Sequence, residues 1–310
     1  MTAVRARIAM SFAAAAALAV APACSLKKYT LRTVGDALAA DASSSMGSDN
    51  DPELIREASP FTLKLVEMLL ARNPRHAGLL LAASSGFTEY SYAFVQLPAD
   101  EIDDKAAAAA MRQRAAKLYL RARDYGLRGL ELHHVNFAQE LKKDPKAAAQ
   151  QLKTGDVPFM YWTGVSWAGA LAASRDLFML PQIPQFEALI LRALELDESW
   201  DKGRIHTFMI TYEMGSPTRG GDKAARAKQH FERAVELSRG RQAGPYVVYA
   251  ESVLEPLKDR NGFEAALKKA LAIDVNLEPD VRLQNLVLQR RARWLLGRTD
   301  LLFKAADERR

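Results

Sequence analysis

The chain has 310 residues, of which 49% are hydrophobic, a content that supports a substantial core and excludes general disorder. Its 43 lysines and arginines against 37 acidic residues give a formal net charge of +6. The excess is spread among acidic residues, as in residues 226–239, which indicates a solvated surface and excludes a nucleic-acid-binding patch.

The first 23 residues have the pattern of a secretory signal peptide. Arg5 and Arg7 form a basic region, and residues 8–20 are apolar and rich in alanine. The apolar stretch is too short and wrongly flanked for a lasting membrane helix. We therefore predict that residues 1–23 are a signal peptide.

Cys24 is the only cysteine, so the sequence excludes an internal disulfide. A lone cysteine directly after a leader resembles a bacterial lipobox, although Ala21 stands where leucine is usual. We predict that Cys24 carries a lipid that anchors the protein to a membrane facing the periplasm. Cleavage at the same bond by ordinary signal peptidase, without lipid, is the alternative. Ser25 resembles the residue found in lipoproteins sorted to the outer membrane.

Residues 24–50 are polar and are predicted to form a flexible tether, and residues 51–310 a single all-helical domain. Asp51 is an expected N-cap with Pro52 in the first turn, and Asn73-Pro74 is a stop signal. These signals predict a helix over residues 52–72. Periodicity and turn residues predict the others over residues 76–95, 106–125, 130–141, 145–152, 157–181, 185–196, 202–214, 222–238, 246–257, 263–273 and 279–296.

The stretch over residues 157–181 is the most unusual, because no charge appears from Val157 to Ser174. On a helix, Trp162 and Trp167 project about 140° apart, so one narrow apolar stripe cannot hold both. Such a helix is buried on more than one side. A membrane span is the rival interpretation, but the run is marginal for the ~20 residues that a span needs. We favour a central helix inside a soluble all-helical protein.

The aromatic residues of this helix either line a ligand pore or fill a core with large side chains. Further aromatic residues lie in residues 86–94. Arg175 either orients a ligand carboxylate at the mouth of a pore or forms a surface pair with Asp176. The candidate pore residues are Tyr90, Tyr92, Phe94, Tyr161, Trp162, Trp167 and Arg175.

A pattern of small–x3–large–x2–Ala recurs at four helix ends, closing on Ala122, Ala193, Ala234 and Ala270. This is the signature of the second helix of tetratricopeptide repeats, in which the alanine lets the paired helix approach. The last three alanines are separated by 41 and 36 residues, near the ideal of ~34. We predict an irregular tetratricopeptide-like array of helical hairpins with a buried central helix inserted into it.

Four groups of residues, in their order and spacing, carry a family resemblance. They are Asn73-Pro74 with Leu79-Leu80-Leu81-Ala82 and Gly86-Phe87-Thr88; Tyr161-Trp162-Thr163-Gly164 with Ser166-Trp167-Ala168; Gly220-Gly221 with Ala227, His230-Phe231 and Ala234; and Tyr249-Ala250 with Asp259 and Phe263. With them the chain resembles the T-component lipoproteins (TatT) of tripartite ATP-independent periplasmic (TRAP) transporters. The resemblance implies a tetratricopeptide-like fold, a homotrimer, an apolar pore or cleft in each protomer, and a partnership with the periplasmic substrate-binding component.

Signals of catalysis or metal binding are poor. His133 and His134 are adjacent and point about 100° apart on a helix, which suits one metal ion badly. Gly220-Gly221 before a helix either cradles an anion or forms a turn, and Asp222 as N-cap favours the turn. No nucleophile elbow or phosphate-binding glycine loop is present. We expect no enzyme, no metal and no cofactor.

Two functions remain. In the first, the protein is a periplasmic accessory lipoprotein of a TRAP transporter, which binds the substrate-binding component and a small apolar or amphipathic ligand. Its Ser25 predicts the outer membrane as the site of the anchor. In the alternative, it is a scaffold lipoprotein for envelope protein–protein interactions without a ligand. An aromatic-rich helix through the middle of the array favours the first.

Overall fold

The computed structural model describes residues 46–217 and 219–307. Within these ranges every regular segment is helical and no strand occurs, so the predicted all-α class is confirmed. The predicted signal peptide, Cys24 and most of the predicted tether lie outside the described residues.

The helices follow one another closely along the chain. The α-helices of the described ranges are α1 (Pro52–Arg72), α2 (Ala77–Ser91), α3 (Leu97–Glu101), α4 (Lys105–Leu130), α5 (Phe137–Lys143), α6 (Pro145–Gln150), α7 (Val157–Ser174), α8 (Ile183–Leu196), α9 (Trp200–Gly215), α10 (Lys223–Leu237), α11 (Gly244–Tyr249), α12 (Arg260–Leu271), α13 (Arg282–Gly297) and α14 (Thr299–Asp307). Two π-helical turns extend α2 and α11 over Tyr92–Gln96 and Ala250–Leu254. Short 3-10 turns occur at Thr154–Asp156, Leu177–Gln182 and Pro279–Val281.

Local signals placed several helix starts correctly. The Asp51 carboxylate accepts hydrogen bonds from the backbone N–H groups of Glu53 and Leu54, at 3.0 and 3.1 Å. Asp222 accepts one from Ala225 at 2.9 Å. Both residues are therefore the N-caps that the sequence predicted, satisfying donors that have no partner inside the helix.

The end of the third helix was predicted wrongly. Helix α4 does not stop at residue 125 but continues through Gly126 and Gly129. A Cβ at Gly126 would lie 2.1 Å from the Thr163 hydroxyl oxygen, and one at Gly129 would lie 2.0 Å from the ring of Phe159. These glycines allow α4 to approach α7 closely, and that tertiary role keeps them in a helix that they would otherwise weaken.

Helix α7 is the centre of the larger core. It packs most extensively against α4, then against α8, and also against α2. Met160, Thr163 and Ala170 are completely buried. The prediction of a central helix buried on more than one side is confirmed. Among the described residues, no helix is both long enough and apolar enough to cross a bilayer.

The four repeat alanines, Ala122, Ala193, Ala234 and Ala270, are completely buried. They lie in α4, α8, α10 and α12, each of which packs against a neighbouring helix in the chain. The helices form two main cores, one around α7 and one around α11 to α13. Tyr90 and Tyr92 pack against both cores, and they mark the boundary at which the cavity described below is found.

The last residues of the predicted tether pack against the helical domain. Arg282 of α13 donates a hydrogen bond to the backbone carbonyl of Ser48 at 3.0 Å, and Met46 packs against the second core. The packed domain therefore includes residues before position 51.

Candidate functional site

A cavity of about 1120 Å³ lies between the two cores. Residues of α1, α2, α7, α9 and α13 line it, together with the first π-helical turn. Most of the wall is apolar and much of it is aromatic. The aromatic lining residues are Tyr90, Tyr92, Phe94, Tyr119, Tyr161, Trp162, Phe186, Trp200, Phe208 and Tyr212.

The structure brings five of the seven candidate pore residues to this cavity. They are Tyr90, Tyr92, Phe94, Tyr161 and Trp162. Trp167 and Arg175 do not line it. Of the candidate residues on α7, Tyr161 and Trp162 therefore line the cavity and Trp167 does not.

Trp167 projects from the opposite side of α7. Its indole N–H donates to the side-chain oxygen of Gln182 at 2.8 Å, and the Arg123 guanidinium lies 4.9 Å from its ring centroid. Arg175 ends α7 in a left-handed conformation (φ 53°), and its side chain is exposed. A helical wheel gives the angle between two side chains but not which of them faces a cavity.

Three aromatic rings and one guanidinium form a cluster on the cavity wall. The Tyr161 ring lies 5.0 Å from Trp162 and 4.9 Å from Trp200, and the Trp162–Trp200 pair is edge-on at 6.5 Å. The Arg204 guanidinium lies 5.1 Å from the Trp162 ring, a cation–π geometry. Sequence reasoning missed Trp200 and Arg204. Trp200 lies between the predicted helices over residues 185–196 and 202–214, and Arg204 lies in the second of them without any motif that marks it.

The backbone at the start of α9 holds this cluster in an unusual conformation. Asp201, Lys202 and Gly203 follow one another with positive φ values of 47°, 57° and 84°. Left-handed conformations are unfavourable for residues with a Cβ and occur where surrounding packing imposes them, often at functional sites. Asp201 and Lys202 both line the cavity.

Arg204 is the centre of an ion cluster at the cavity. Its Nε pairs with Asp201 at 2.6 Å, its Nη1 with Glu89 at 2.9 Å, and its Nη2 donates to Gln284 at 3.1 Å. Burial alone would lower the pKa of Arg204, but the attraction of Asp201 and Glu89 outweighs burial and raises the pKa above its ordinary value. The guanidinium is therefore charged, and three of its five N–H groups are bound by Asp201, Glu89 and Gln284.

A second polar cluster lies on the other side of α9, away from the cavity. His206 and His230 approach each other with their Nδ1 atoms 2.8 Å apart. The completely buried Glu213 pairs with Arg226 at 2.6 Å and with Arg219 at 3.0 Å. Burial, and then the neighbouring His206, lower the pKa of His230 to about 4. In the described part of the chain, no group of three or more histidine, cysteine or acidic side chains is arranged to hold a metal ion.

Comparison with known proteins agrees with the resemblance seen in the sequence. The model of the family described as "TRAP transporter T-component" matches residues 48–303. A protein of Treponema pallidum (strain Nichols), described as an uncharacterized protein, is 30% identical over 292 aligned residues, which cover 88% of this chain and 90% of the relative. The match spans every helix that lines the cavity, and the chain therefore belongs to the TRAP transporter T-component family.

Proposed function

We propose that this T-component takes an apolar or amphipathic small molecule into its cavity and binds the periplasmic substrate-binding component of its TRAP transporter. Membership of the family makes it an accessory, envelope-associated part of a transport system. The observation that carries the ligand is the aromatic-lined cavity of about 1120 Å³. Protein interiors are close-packed with few voids, so a volume of this size requires an occupant or water.

The alternative is a scaffold that grips only protein partners. Such a scaffold works through its outer surface and has no use for a cavity lined by ten aromatic side chains. The cavity therefore favours the ligand-binding function, and the scaffold becomes the outcome if the following test fails.

Two measurements test the ligand. Mass spectrometry of the denatured purified protein should identify a copurified apolar or amphipathic molecule. The uncharged dye N-phenyl-1-naphthylamine, which becomes fluorescent in apolar surroundings, should bind the emptied protein with a saturable signal. If nothing copurifies and the dye does not bind, the scaffold function replaces the ligand-binding one.

The proposed anchor is a lipid on Cys24, which would hold the protein to the outer membrane on its periplasmic side. The support is the position of this lone cysteine directly after the signal-peptide pattern. Radiolabelled palmitate should enter the wild-type protein and not the Cys24→Ala variant. Equal labelling of both, or labelling of neither, would contradict the anchor.

The proposed homotrimer rests on the family resemblance, and the outer face of α1 supplies a surface for it. Leu54, Phe61 and Met68 follow at intervals of seven residues and are 56%, 74% and 65% exposed. Ala58 and Leu65, both half-buried, lie between them. This spacing of four and three residues is the seam by which one helix packs against another, and we assign it to a second copy of the chain.

Sedimentation tests the trimer and its surface together. The purified protein should sediment at about three times the monomer mass, and Phe61→Asp should shift it to the monomer. Phe178→Asp is the matched control, since Phe178 is 90% exposed in the 3-10 turn after α7. A monomeric wild type would contradict the trimer, and a monomeric Phe178→Asp beside a trimeric Phe61→Asp would move the contact away from α1.

Partner binding is tested with the substrate-binding component of the transporter from the same organism. The mixture should sediment as a complex heavier than either protein alone. Independent sedimentation at concentrations of tens of micromolar would contradict this part of the proposal, whatever the result for the ligand.

A further inference from the structure

The cavity contains many side-chain hydroxyls, and almost all of them already have a partner. The Tyr119 hydroxyl donates to Gln96 at 2.7 Å, and that of Tyr90 accepts from Arg114 at 3.3 Å. Thr88 donates to the backbone carbonyl of its own helix at 2.6 Å. The hydroxyl hydrogens of Tyr119 and Thr88 are therefore used inside the protein, whereas the Tyr90 hydroxyl accepts one hydrogen bond and keeps its own hydrogen.

Two tyrosines are exceptions. Tyr92 and Tyr161 both line the cavity, and within the described residues neither hydroxyl has a hydrogen-bond partner. Tyr161 is only 6% exposed, yet its hydroxyl oxygen is not sealed off by surrounding atoms. Burial raises the pKa of both phenols above the ordinary range, and each remains a neutral O–H donor at physiological pH. Both side chains line the same cavity, so one ligand can lie against both of them.

A hydroxyl hydrogen without an acceptor is unfavourable inside a protein, so water or a ligand oxygen in the cavity has to accept it. One oxygen atom with two lone pairs can accept from two phenols at once. The apolar wall around them excludes a purely polar ligand, and the volume of about 1120 Å³ leaves room for a long apolar body.

The charges around the cavity decide between a neutral and an anionic head. The charged lining residues are two cations and three anions: Lys202, Arg204, Glu89, Asp201 and Asp280. Three of the five N–H groups of Arg204 are bound by Asp201, Glu89 and Gln284, and the Lys202 ammonium pairs with Glu278. Both cations are thus already paired with carboxylates, and a ligand carboxylate would meet the excess of negative charge.

We propose that the cavity selects an elongated apolar molecule with one uncharged oxygen head group, an alcohol, ester or ketone, whose oxygen accepts hydrogen bonds from Tyr92 and Tyr161. This inference rests on the proposed ligand-binding function and deepens it by naming the chemical class. Hydrogen bonds from the two phenols recognise the head group, and the negative charges of Glu89 and Asp201 repel acidic ligands.

Displacement of N-phenyl-1-naphthylamine by four ten-carbon probes tests the proposal. The probes are 1-decanol, decane, decanoate and decyltrimethylammonium, which share a chain and differ in head group. We expect 1-decanol to displace the dye at least about tenfold more effectively than the other three. Tyr161→Phe and Tyr92→Phe should each weaken the binding of 1-decanol about fivefold to tenfold, which corresponds to the loss of one hydrogen bond. The binding of decane should be unchanged in both variants.

The matched control is Tyr125→Phe, because the Tyr125 hydroxyl donates to Glu67 at 2.7 Å outside the cavity lining. Asp201→Asn should strengthen the binding of decanoate relative to that of 1-decanol, because it removes one negative charge from the cavity wall. Equal binding of all head groups, preference for decanoate or the ammonium probe, or unchanged 1-decanol binding in both tyrosine variants would overturn the head-group proposal alone. Failure of the wild type to bind the dye and every probe would overturn the ligand-binding function and this proposal with it.

Discussion

Helices α7 and α9 each have two buried sides, and the large polar side chains of the two sides differ in their pairing. The small Thr163 hydroxyl, packed against Gly126, is an exception on the outer side, since it has no hydrogen-bond partner in the described chain. On the outer side, Trp167 donates to Gln182, and Glu213 is held between two arginines. On the cavity side, the hydroxyl of Tyr161 has no partner in the described chain. Burial is nearly the same, since Trp167 and Trp162 are both 8% exposed.

The difference teaches that burial alone does not separate a core from a binding site. A side that folding has completed has its volume filled and its large polar side chains paired. A side that awaits a ligand keeps unsatisfied donors and open volume. Substitutions on the outer side should therefore act on stability, and those on the cavity side on binding.

The largest effect is expected from Trp167→Ala. The substitution removes a fully packed indole, its hydrogen bond to Gln182 and its contact with Arg123. We expect the free energy of unfolding to fall by about 3–5 kcal/mol, measured by urea denaturation. Dye binding by the fraction that remains folded should be unchanged, and a selective loss of dye affinity would contradict the division between the sides.

Trp162→Ala tests the other side of the same helix. Trp162 already borders open volume, so its removal enlarges a cavity and creates no new one. We expect a smaller loss of about 2–3 kcal/mol with a clear loss of dye affinity. Equal destabilisation by Trp162→Ala and Trp167→Ala, with no change in dye binding for either, would contradict the functional difference between the two sides of α7.

The outer side of α9 should make stability depend on pH. Burial lowers the pKa of His206, and burial with His206 lowers that of His230 to about 4. The unfolded chain protonates these residues near pH 6.5, so it binds more protons than the folded chain between about pH 6.5 and 4. The free energy of unfolding should therefore have its full value above pH 7 and should fall by about 2 kcal/mol on acidification to pH 5.

Denaturation curves at pH 7 and pH 5 measure this loss. Glu198, Glu213, Arg219, Arg226 and Arg233 are the charged groups that face the histidine pair. His230→Gln keeps a polar side chain and removes one titrating group, so its loss between the two pH values should be smaller. An equal loss in wild type and variant would assign the pH dependence to other groups.

Sequence reasoning reached the fold further than the site. Asp51-Pro52 and Asn73-Pro74 bounded α1 correctly, because capping is local. The predicted helix end at residue 125 was wrong, because Gly126 and Gly129 allow the close approach of α7, whose residues are far away in the sequence. The absence of charge from Val157 to Ser174 likewise identified the buried helix and its aromatic residues.

The residues of the site could be identified only from the folded structure. Tyr161 and Trp162 were found as aromatic residues of an uncharged helix, but Trp167 met the same criterion and faces the other way. Trp200 and Arg204 carried no pattern at all, since three left-handed residues following Trp200 place them on the wall. No local rule predicts that conformation from Asp201-Lys202-Gly203.

Gly203→Ala links the two sides with the smallest expected change in stability. Gly203 has φ 84°, and a Cβ there would lie 3.0 Å from Leu237 of α10, on the outer side. We expect a loss of roughly 1–2 kcal/mol, the cost of a left-handed residue with a side chain. Relaxation of the turn should also move Trp200 and Arg204, and so weaken dye binding more than the loss of stability explains.

Gly215→Ala in the same helix is the control, because an added Cβ meets nothing within 4 Å although Gly215 lines the cavity. Its stability and dye affinity should stay close to those of the wild type. If Gly203→Ala lowers stability and leaves dye binding intact, the left-handed turn serves packing against α10 only. If the dye affinity of Gly203→Ala falls together with its stability, packing contacts on the outer side of α9 position the side chains of the cavity wall. The two sides of α9 are then coupled through the left-handed turn.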